Sequence, residues 1–174
     1  TVGLLTAELL ARFPGVRVVS VEPSETRRRA SEKAGCLSLP PGGREIAAKV
    51  LDLTGGRGAD IAIDTSGSPA ALQDAIDALA FEGTVVEASW FGKTRVTLDL
   101  GKAFHRRRLS IRSSQVSRLP SRIAGRWDKR RRLALALEFV ETIRPSKYIT
   151  HRFPLDEAQK AFDLIDEDGG DVIQ

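Results

Sequence analysis

The chain has 174 residues, 41% hydrophobic and 29% charged, a composition typical of a globular protein large enough to bury a core. No apolar run approaches the roughly 20 residues that a membrane-spanning helix requires, so we expect no contact with a membrane. The single cysteine, Cys36, excludes an intramolecular disulfide and favours a reducing compartment, which we take to be the cytoplasm. Together with only two histidines, His105 and His151, it does not supply the ligands of a tetrahedral zinc site.

The formal net charge of +4 is concentrated in two basic runs, 105–108 and 129–132. Such runs are candidates for phosphate contacts with nucleic acid. The second run, however, directly precedes the helical pattern 133–137 and is typical of a solvated first helical turn. No zinc-finger or RNA-binding motif accompanies either run, so we expect no nucleic-acid partner.

A helix followed by a short strand is predicted at the start of the chain. Apolar residues recur at steps of three or four and predict one apolar helix face, made of Val2, Leu5, Leu9 and Phe13. Pro14 and Gly15 break this helix. The valine-rich stretch 16–22 then predicts a buried strand of a parallel sheet.

The spacing of a glycine and an acid in this stretch is informative. Glu22 lies 19 residues after Gly3, close to the roughly 20 that separate the glycine turn from the ribose-binding acid in the dinucleotide fingerprint. Only the last glycine of G-x-G-x-x-G is present, and Thr1 and Val2 fit the two variable positions before it. Because the chain also contains no methionine, we expect a fragment that lacks the first strand and the first two glycines.

Helices and strands alternate along the rest of the chain. The predicted helices are 25–34, 44–54, 69–80, 102–107, 128–143 and 155–166. The predicted strands are 36–39, 60–64, 83–88, 96–100, 109–113 and 172–173. This alternation predicts an α/β fold, a doubly wound parallel sheet with right-handed crossovers.

In the strand order 3-2-1-4-5-6 the first strand lies in the middle of such a sheet. If that strand is absent, the strands at 16–22 and 61–65 lose their shared neighbour, and each has an unpaired edge. We divide the chain into a nucleotide-binding domain at 1–150, truncated at its N-terminus, and a closing helix and strand at 151–174.

Four pieces of the sequence resemble, in the same order, the cofactor domain of zinc-type medium-chain alcohol dehydrogenases. They are TVGLLTAELL, VVSVEPSETRRRASEKAG, LDLTGGRGADIAIDTSGSPAALQDAIDAL and HRFPLDEAQKAFDLIDEDGGDVI. The segment IRSSQVSRLPSRIAGRWDKRRRLALAL is similar to the narrower branch that includes bacteriochlorophyllide-type dehydrogenases. The resemblance implies a Rossmann-type fold that follows a GroES-like catalytic domain.

The same resemblance implies hydride transfer between NAD(H) and a small-molecule alcohol or carbonyl compound. Zinc would be held by the catalytic domain, so we name no catalytic or metal-binding residue, and we expect this fragment alone to be inactive. Asp64 and Glu87 stand at predicted strand ends as a possible acid–base pair, but acids at such positions are more often structural.

Three residues near the start are implied as cofactor contacts. Gly3 resembles the third fingerprint glycine, Glu22 the acid that accepts both adenosine-ribose hydroxyls, and Arg27 a basic residue that helps to hold the ribose. A carboxylate at Glu22 would repel a 2′-phosphate, which favours NAD over NADP. The cluster formed by Arg27, Arg28 and Arg29 keeps NADP open as an alternative.

Further contacts are implied at later strand ends. Thr65, Ser66 and Gly67 match the loop that lines the adenosine and ribose side. The nicotinamide carboxamide is expected beside four residues that follow two later strands: Ala88, Ser89, Ser113 and Gln115. The family often has Val-Gly in place of Ala88-Ser89, and the bulky Trp90 that follows is a second departure.

The strand 109–113 resembles the edge strand through which the family pairs two subunits, so we expect a homodimer. Two other functions stay open at this point. An S-adenosylmethionine-dependent methyltransferase also places a ribose-binding acid after its second strand, although the closing FPLDEAQKAF helix fits the dehydrogenase order better. A non-catalytic nucleotide-sensing domain is the other alternative.

Overall fold

A computed structural model describes residues 1–169 and 171–173 of the chain. The helices are α1 (Val2–Ala11), α2 (Glu25–Lys33), α3 (Arg44–Leu53), α4 (Pro69–Ala78), α5 (Ser121–Ala124), α6 (Lys129–Ile143) and α7 (Ala158–Asp168). The strands are β1 (Val19–Val21), β2 (Leu37–Leu39), β3 (Ala59–Asp64), β4 (Leu79–Glu87) and β5 (Ser110–Ser113). A π-helical turn covers Leu100–Phe104, and two 3-10 turns cover Pro145–Tyr148 and Leu155–Glu157.

All strand pairs are parallel, as predicted from the alternation of helices and strands. One sheet consists of β1 and β2, and the other has the order β3-β4-β5. Within the described residues, β1 pairs with β2 alone and β3 with β4 alone. The strand β5 lies at an edge of its sheet.

The chain divides into two compact units, Thr1–Pro40 with Arg118–Gln174, and Pro41–Ser117. Each of the two sheets lies within one unit. Residues 151–173 belong to the first unit together with residues 1–40, so the division that we placed at residue 150 stays a prediction about function.

The core of the first unit contains Leu4, Tyr148 and Ile173. The side of α1 that packs inward is not the apolar face seen in the sequence, because its buried residues are Leu4, Ala7 and Glu8. Val2 and Phe13 of that apolar face are exposed. Apolar residues occupy most positions of α1, so their periodicity does not select the side that packs inward.

The core of the second unit is formed where α4 packs on the three-stranded sheet. Its buried members are Leu72, Ile76, Leu79, Val85 and Leu109. The turn before β3 approaches the start of β4 so closely that a Cβ at Gly58 would lie 2.7 Å from the Ala80 nitrogen. With φ at +92°, Gly58 also has a backbone conformation that other residues rarely adopt.

Several predicted elements need correction. β1 begins at Val19 rather than at residue 16, and the strand expected at 96–100 is absent, since Leu100 begins a π-helical turn. Val172 and Ile173 are not in a strand; instead the Thr150 nitrogen donates to the Ile173 carbonyl at 3.1 Å. Ile61 of β3 is exposed. Among the helices of residues 1–169, none combines the length and apolar character needed to cross a membrane.

Candidate functional site

Glu22 follows β1 directly and is fixed at the carboxyl end of that strand. Its backbone nitrogen donates to the Leu39 carbonyl at 3.0 Å, which extends the pairing of β1 with β2 by one bond. Its Oε1 atom accepts a hydrogen bond from the Ser24 backbone nitrogen at 3.0 Å. The Glu22 side chain is 25% exposed, so the carboxylate is held in place while part of it stays accessible.

Arg27 lies in the first turn of α2, where the Ser24 hydroxyl caps the helix by accepting the Arg27 backbone N–H at 3.2 Å. The Arg27 Nη1 atom lies 3.7 Å from Glu22 Oε1. Its Nη2 atom donates to the carbonyls of Gly169 and, at 3.0 Å, Val172. The guanidinium therefore joins Glu22 to the closing segment of the chain.

Gly3 lies in the first turn of α1, near these two charges. Burial lowers the pKa of the Thr1 amino group; the positive charge of Arg27 lowers this pKa further, and the negative charge of Glu22 opposes the change. Both side chains are thus close enough to act on the start of α1. The first unit therefore contains all three predicted residues: Glu22 and Arg27 are paired, and their charges act on the Thr1 amino group at the start of the helix that carries Gly3.

The second unit aligns the ends of its three strands. Asp64 is in register with Glu87, and Glu87 is in register with Ser113. Beyond this row the Ala88 nitrogen donates to the Asp64 carbonyl at 2.8 Å, and the Ser114 nitrogen donates to the Glu87 carbonyl at 2.7 Å. The three following loops therefore leave the sheet at the same level.

These loops carry the remaining predicted contacts. Thr65, Gly67 and Ser89 are half-buried, whereas four predicted residues are exposed: Ser66, Ala88, Ser113 and Gln115. A Cβ at Gly67, where φ is +69°, would lie 3.7 Å from the Trp90 carbonyl. The loop after β3 therefore lies beside the loop after β4. The side chain of Trp90 is 89% exposed at this edge of the sheet.

Two acids hold these loops, and sequence reasoning missed their contacts. Asp64 Oδ1 accepts hydrogen bonds from the Ser66 nitrogen at 2.8 Å and the Ser66 hydroxyl at 2.7 Å. Glu87 Oε1 likewise accepts bonds from the Ser89 nitrogen, at 2.8 Å, and the Ser89 hydroxyl. The signal that points to them is a repeated acid-x-Ser pattern at 22–24, 64–66 and 87–89.

A second group outside the predicted site surrounds Glu8 in the first unit. Glu8 Oε1 lies 2.7 Å from Lys147 Nζ and 2.8 Å from Arg12 Nη2, while Oε2 accepts the Tyr148 hydroxyl at 2.6 Å. Burial raises the pKa of Glu8, but hydrogen bonds from these three side chains outweigh it and hold the pKa below its ordinary value. The group stabilises the contact between α1 and the Pro145–Tyr148 turn.

Metal ligands and reactive thiols are not evident in the part of the chain that the structure describes. Within residues 1–169 and 171–173, no cluster of three or more His, Cys, Asp or Glu side chains could hold a metal ion. Cys36 is buried, and burial, followed by the nearby charge of Glu8, raises the pKa of its thiol. Cys36 therefore has neither the exposure nor the thiolate character of a nucleophile.

Comparison with known proteins places these features in context. The profile of a family described as zinc-binding dehydrogenase matches residues 1–130. D-guloside 3-dehydrogenase of Escherichia coli K12 is 29% identical over 131 residues, which cover 75% of this chain and 37% of that protein. An L-threonine 3-dehydrogenase of Caldanaerobacter subterraneus is 26% identical over 165 residues, 94% of this chain and 45% of that protein. The chain thus spans less than half the length of these relatives.

Solved structures agree on the fold. An alcohol dehydrogenase from Escherichia coli CFT073, described as short chain and solved with NADH, superposes with a TM-score of 0.74 over 98% of this chain and 47% of its own. Its sequence is only 18% identical, so the likeness concerns the fold. It confirms the predicted Rossmann-type architecture.

Proposed function

Since this chain belongs to the zinc-binding dehydrogenase family, we propose that it is the cofactor-binding part of an oxidoreductase that transfers hydride between NAD(H) and a small-molecule alcohol or carbonyl compound. The two relatives named above are dehydrogenases of a guloside and of L-threonine, both hydroxyl-bearing small molecules. The family match also favours this activity over the methyltransferase and nucleotide-sensor alternatives. The narrower bacteriochlorophyllide-type branch stays a prediction from the segment 111–137.

The observation that carries the proposal is the carboxylate of Glu22 at the carboxyl end of β1. Ligands of open α/β sheets bind outside the carboxyl ends of the strands, and an acid there accepts the ribose hydroxyls of NAD. Glu22 Oε1 is used by the Ser24 nitrogen, yet a carboxylate has about four acceptor positions. The side chain therefore keeps acceptors for two hydroxyl groups, and its negative charge disfavours the 2′-phosphate of NADP.

The other predicted residues have defined roles in this proposal. The start of α1 at Gly3 would receive the diphosphate, because a helix N-terminus favours negative charge. Arg27, which contacts Glu22 and two backbone carbonyls, would orient the acid. We propose two further groups of cofactor contacts, both in loops of the second unit. The first is Thr65, Ser66 and Gly67, for the adenosine and ribose side, and the second is Ala88, Ser89, Ser113 and Gln115, for the nicotinamide carboxamide.

The nicotinamide supplies the hydride acceptor or donor, and this chain's residues supply binding and orientation. We place the zinc ligands in another part of the full-length protein.

We also propose a cytoplasmic homodimer that pairs through β5, whose Ile111 is exposed at the sheet edge. Sedimentation of the full-length protein as a monomer would contradict the dimer.

The test is a fluorescence titration of the full-length protein with NADH, NADPH and S-adenosylmethionine. We expect NADH to bind most tightly and S-adenosylmethionine not to bind. Glu22→Gln should weaken NADH binding by about tenfold to a hundredfold, because hydrogen bonds to a charged group contribute roughly 1.5–3 kcal/mol. The same variant should narrow the preference for NADH over NADPH.

Glu25→Gln is the matched control. Glu25 is an acid only three positions away, in the first turn of α2, where it forms an exposed ion pair with Arg29. Its substitution should leave NADH affinity unchanged. If the unmodified protein bound neither NADH nor NADPH, the proposed function would be contradicted.

A further inference from the structure

The acid-x-Ser pattern at the ends of β3 and β4 has a consistent geometry that the proposed function does not itself require. In both turns the acid's first oxygen accepts the backbone N–H and the hydroxyl of the serine two residues later, as described above for Asp64 with Ser66 and for Glu87 with Ser89. Each acid therefore closes a tight turn at the point where the chain leaves the sheet. The same local structure occurs on two neighbouring strands in register.

The second carboxylate oxygen of each acid is buried and has no hydrogen-bond donor among the described residues. Asp64 is 7% exposed, and neither Asp64 Oδ2 nor Glu87 Oε2, both buried, receives a hydrogen bond from any described residue. A buried acceptor without a donor reduces stability, and such atoms are rare in folded proteins. Two of them on adjacent strands indicate that these acids are not optimised for stability alone.

The register of the strands directs the two acid side chains to one face of the sheet. In a strand, residues two apart share a face, so Glu87 points to the same side as Val85. Val85 is completely buried in the core cluster with Leu72 and Ile76 of α4. Asp64, in register with Glu87, shares that face. The acids therefore reach into the side of the sheet covered by α4, while their serines lie in the loops.

From these observations we propose that Asp64 and Glu87 are positioning residues, which fix the loops at 65–67 and 88–89 in the conformation that contacts the nicotinamide cofactor. The inference rests on the proposed function, because it assigns these loops to the cofactor. By holding the amides of Ser66 and Ser89, the acids set the backbone direction of both loops before the cofactor arrives. A preorganised loop spares the cofactor the entropic cost of ordering it.

The test compares variants that keep or remove the accepting oxygen, in the full-length protein. Asp64→Asn and Glu87→Gln retain an oxygen for the serine amide, whereas Asp64→Ala and Glu87→Ala do not. We expect each alanine variant to weaken NADH binding about tenfold or more, since a small misplacement of binding groups is costly, and each amide variant to stay within about threefold. Asp60→Ala is the control, because Asp60 is an exposed acid on the same strand whose partner is Arg57.

Hydrogen exchange gives a readout that a general loss of stability would not produce. The amides of Ser66 and Ser89 should lose protection in the matching alanine variant alone, while the amides inside β3 and β4 keep theirs. If the alanine variants do not fold, Asp64→Val and Glu87→Met remove the carboxylates and still fill the space. These variants should show the same loss of NADH affinity.

The outcomes separate this inference from the proposed function. Unmodified protein that binds neither NADH nor NADPH contradicts the proposed function. Unmodified protein that binds NADH, with carboxylate-free variants that bind it equally well, overturns the positioning role alone. Amide variants that lose as much affinity as the alanine variants would also overturn it, because the negative charge rather than the accepting oxygen would then be required.

Discussion

Among the described side chains, each unit buries one carboxylate almost completely, but the two carboxylates have different hydrogen-bond partners. In the first unit Glu8, 3% exposed, accepts hydrogen bonds from Arg12, Lys147 and Tyr148. In the second unit Asp64, 7% exposed, accepts bonds only from Ser66 among the described residues. Glu8 has cationic partners and hydrogen bonds at both oxygens, whereas Asp64 has, among the described residues, no cationic partner and one oxygen without a donor.

The difference shows that burial of an acid does not by itself define its role. Burying a charge is costly unless charged and hydrogen-bonding partners compensate. Glu8 is compensated, and its contacts connect distant parts of the chain, so we expect it to stabilise the first unit. The hydrogen bonds to Asp64 come only from Ser66, two residues away, among the described residues. We therefore expect its main effect on the conformation of the loop at 65–67.

The largest predicted effect is the loss of stability in Glu8→Ala. This substitution leaves the buried Tyr148 hydroxyl without an acceptor and separates α1 from the Pro145–Tyr148 turn. We expect the free energy of unfolding to fall by about 2–4 kcal/mol, less than for a fully buried ion pair because Lys147 can reach water. Urea denaturation followed by circular dichroism measures it.

Glu141→Ala is the control for this experiment, because Glu141 is an exposed acid on α6. Its effect should stay within about 0.5 kcal/mol, as for other surface positions. A loss below about 1 kcal/mol in Glu8→Ala would mean that the hydrogen bonds around Glu8 do not stabilise the unit, and the contrast with Asp64 would disappear.

A second prediction concerns the stability of the protein at low pH. Because the folded-state pKa of Glu8 lies below its ordinary value of 4.5, the unfolded chain binds the proton more readily than the folded chain does. The stability that Glu8 contributes is therefore complete above about pH 4.5 and is lost as the pH falls through the lower folded-state pKa. Urea midpoints between pH 6 and pH 3 should fall less steeply in Glu8→Gln than in the unmodified protein. Equal slopes would contradict the prediction.

A third prediction uses the chain's single tyrosine, Tyr148. Burial raises the pKa of its phenol, and the hydrogen bond to Glu8 and the charge of Glu8 raise it further. Absorbance at 295 nm should therefore show ionisation above the ordinary value of about 10. Glu8→Gln should lower this pKa, with far-UV circular dichroism confirming that the protein stays folded. An unchanged titration would mean that the Glu8 charge does not act on Tyr148.

Much of the fold follows from local signals and could be predicted. Asp128 caps α6 by accepting the Arg131 nitrogen at 2.7 Å, and α4 begins at Ser68-Pro69, as their residue types indicate. The spacing between Gly3 and Glu22 likewise lies within one helix and one strand, and their joint role in cofactor binding stays a prediction. Such features depend on neighbours in sequence, so they need no knowledge of packing.

The features that escaped prediction depend on contacts between distant residues. Lys147 and Tyr148 are 139 and 140 positions from Glu8, and no pattern in α1 indicates that an acid rather than Val2 faces inward. The acid-x-Ser repeat is visible in the sequence. Its meaning requires the register that sets Asp64 beside Glu87 and the helix that covers that face.

The smallest predicted effect is that of Asp64→Asn on the free energy of unfolding. This variant tests directly whether the charge of Asp64 matters less for stability than the charge of Glu8. The amide keeps an oxygen for the Ser66 nitrogen, removes a buried charge without a cationic partner, and adds a donor on the side of Glu87. We therefore expect the free energy of unfolding to change by less than about 1 kcal/mol, whereas Glu8→Gln, which breaks charged contacts to Lys147 and Arg12, should cost more than that. Urea denaturation of Asp64→Asn and Glu8→Gln measures both changes in the free energy of unfolding, with Asp60→Asn as the control. If Asp64→Asn costs as much as Glu8→Gln, the charge of Asp64 stabilises the second unit just as that of Glu8 stabilises the first.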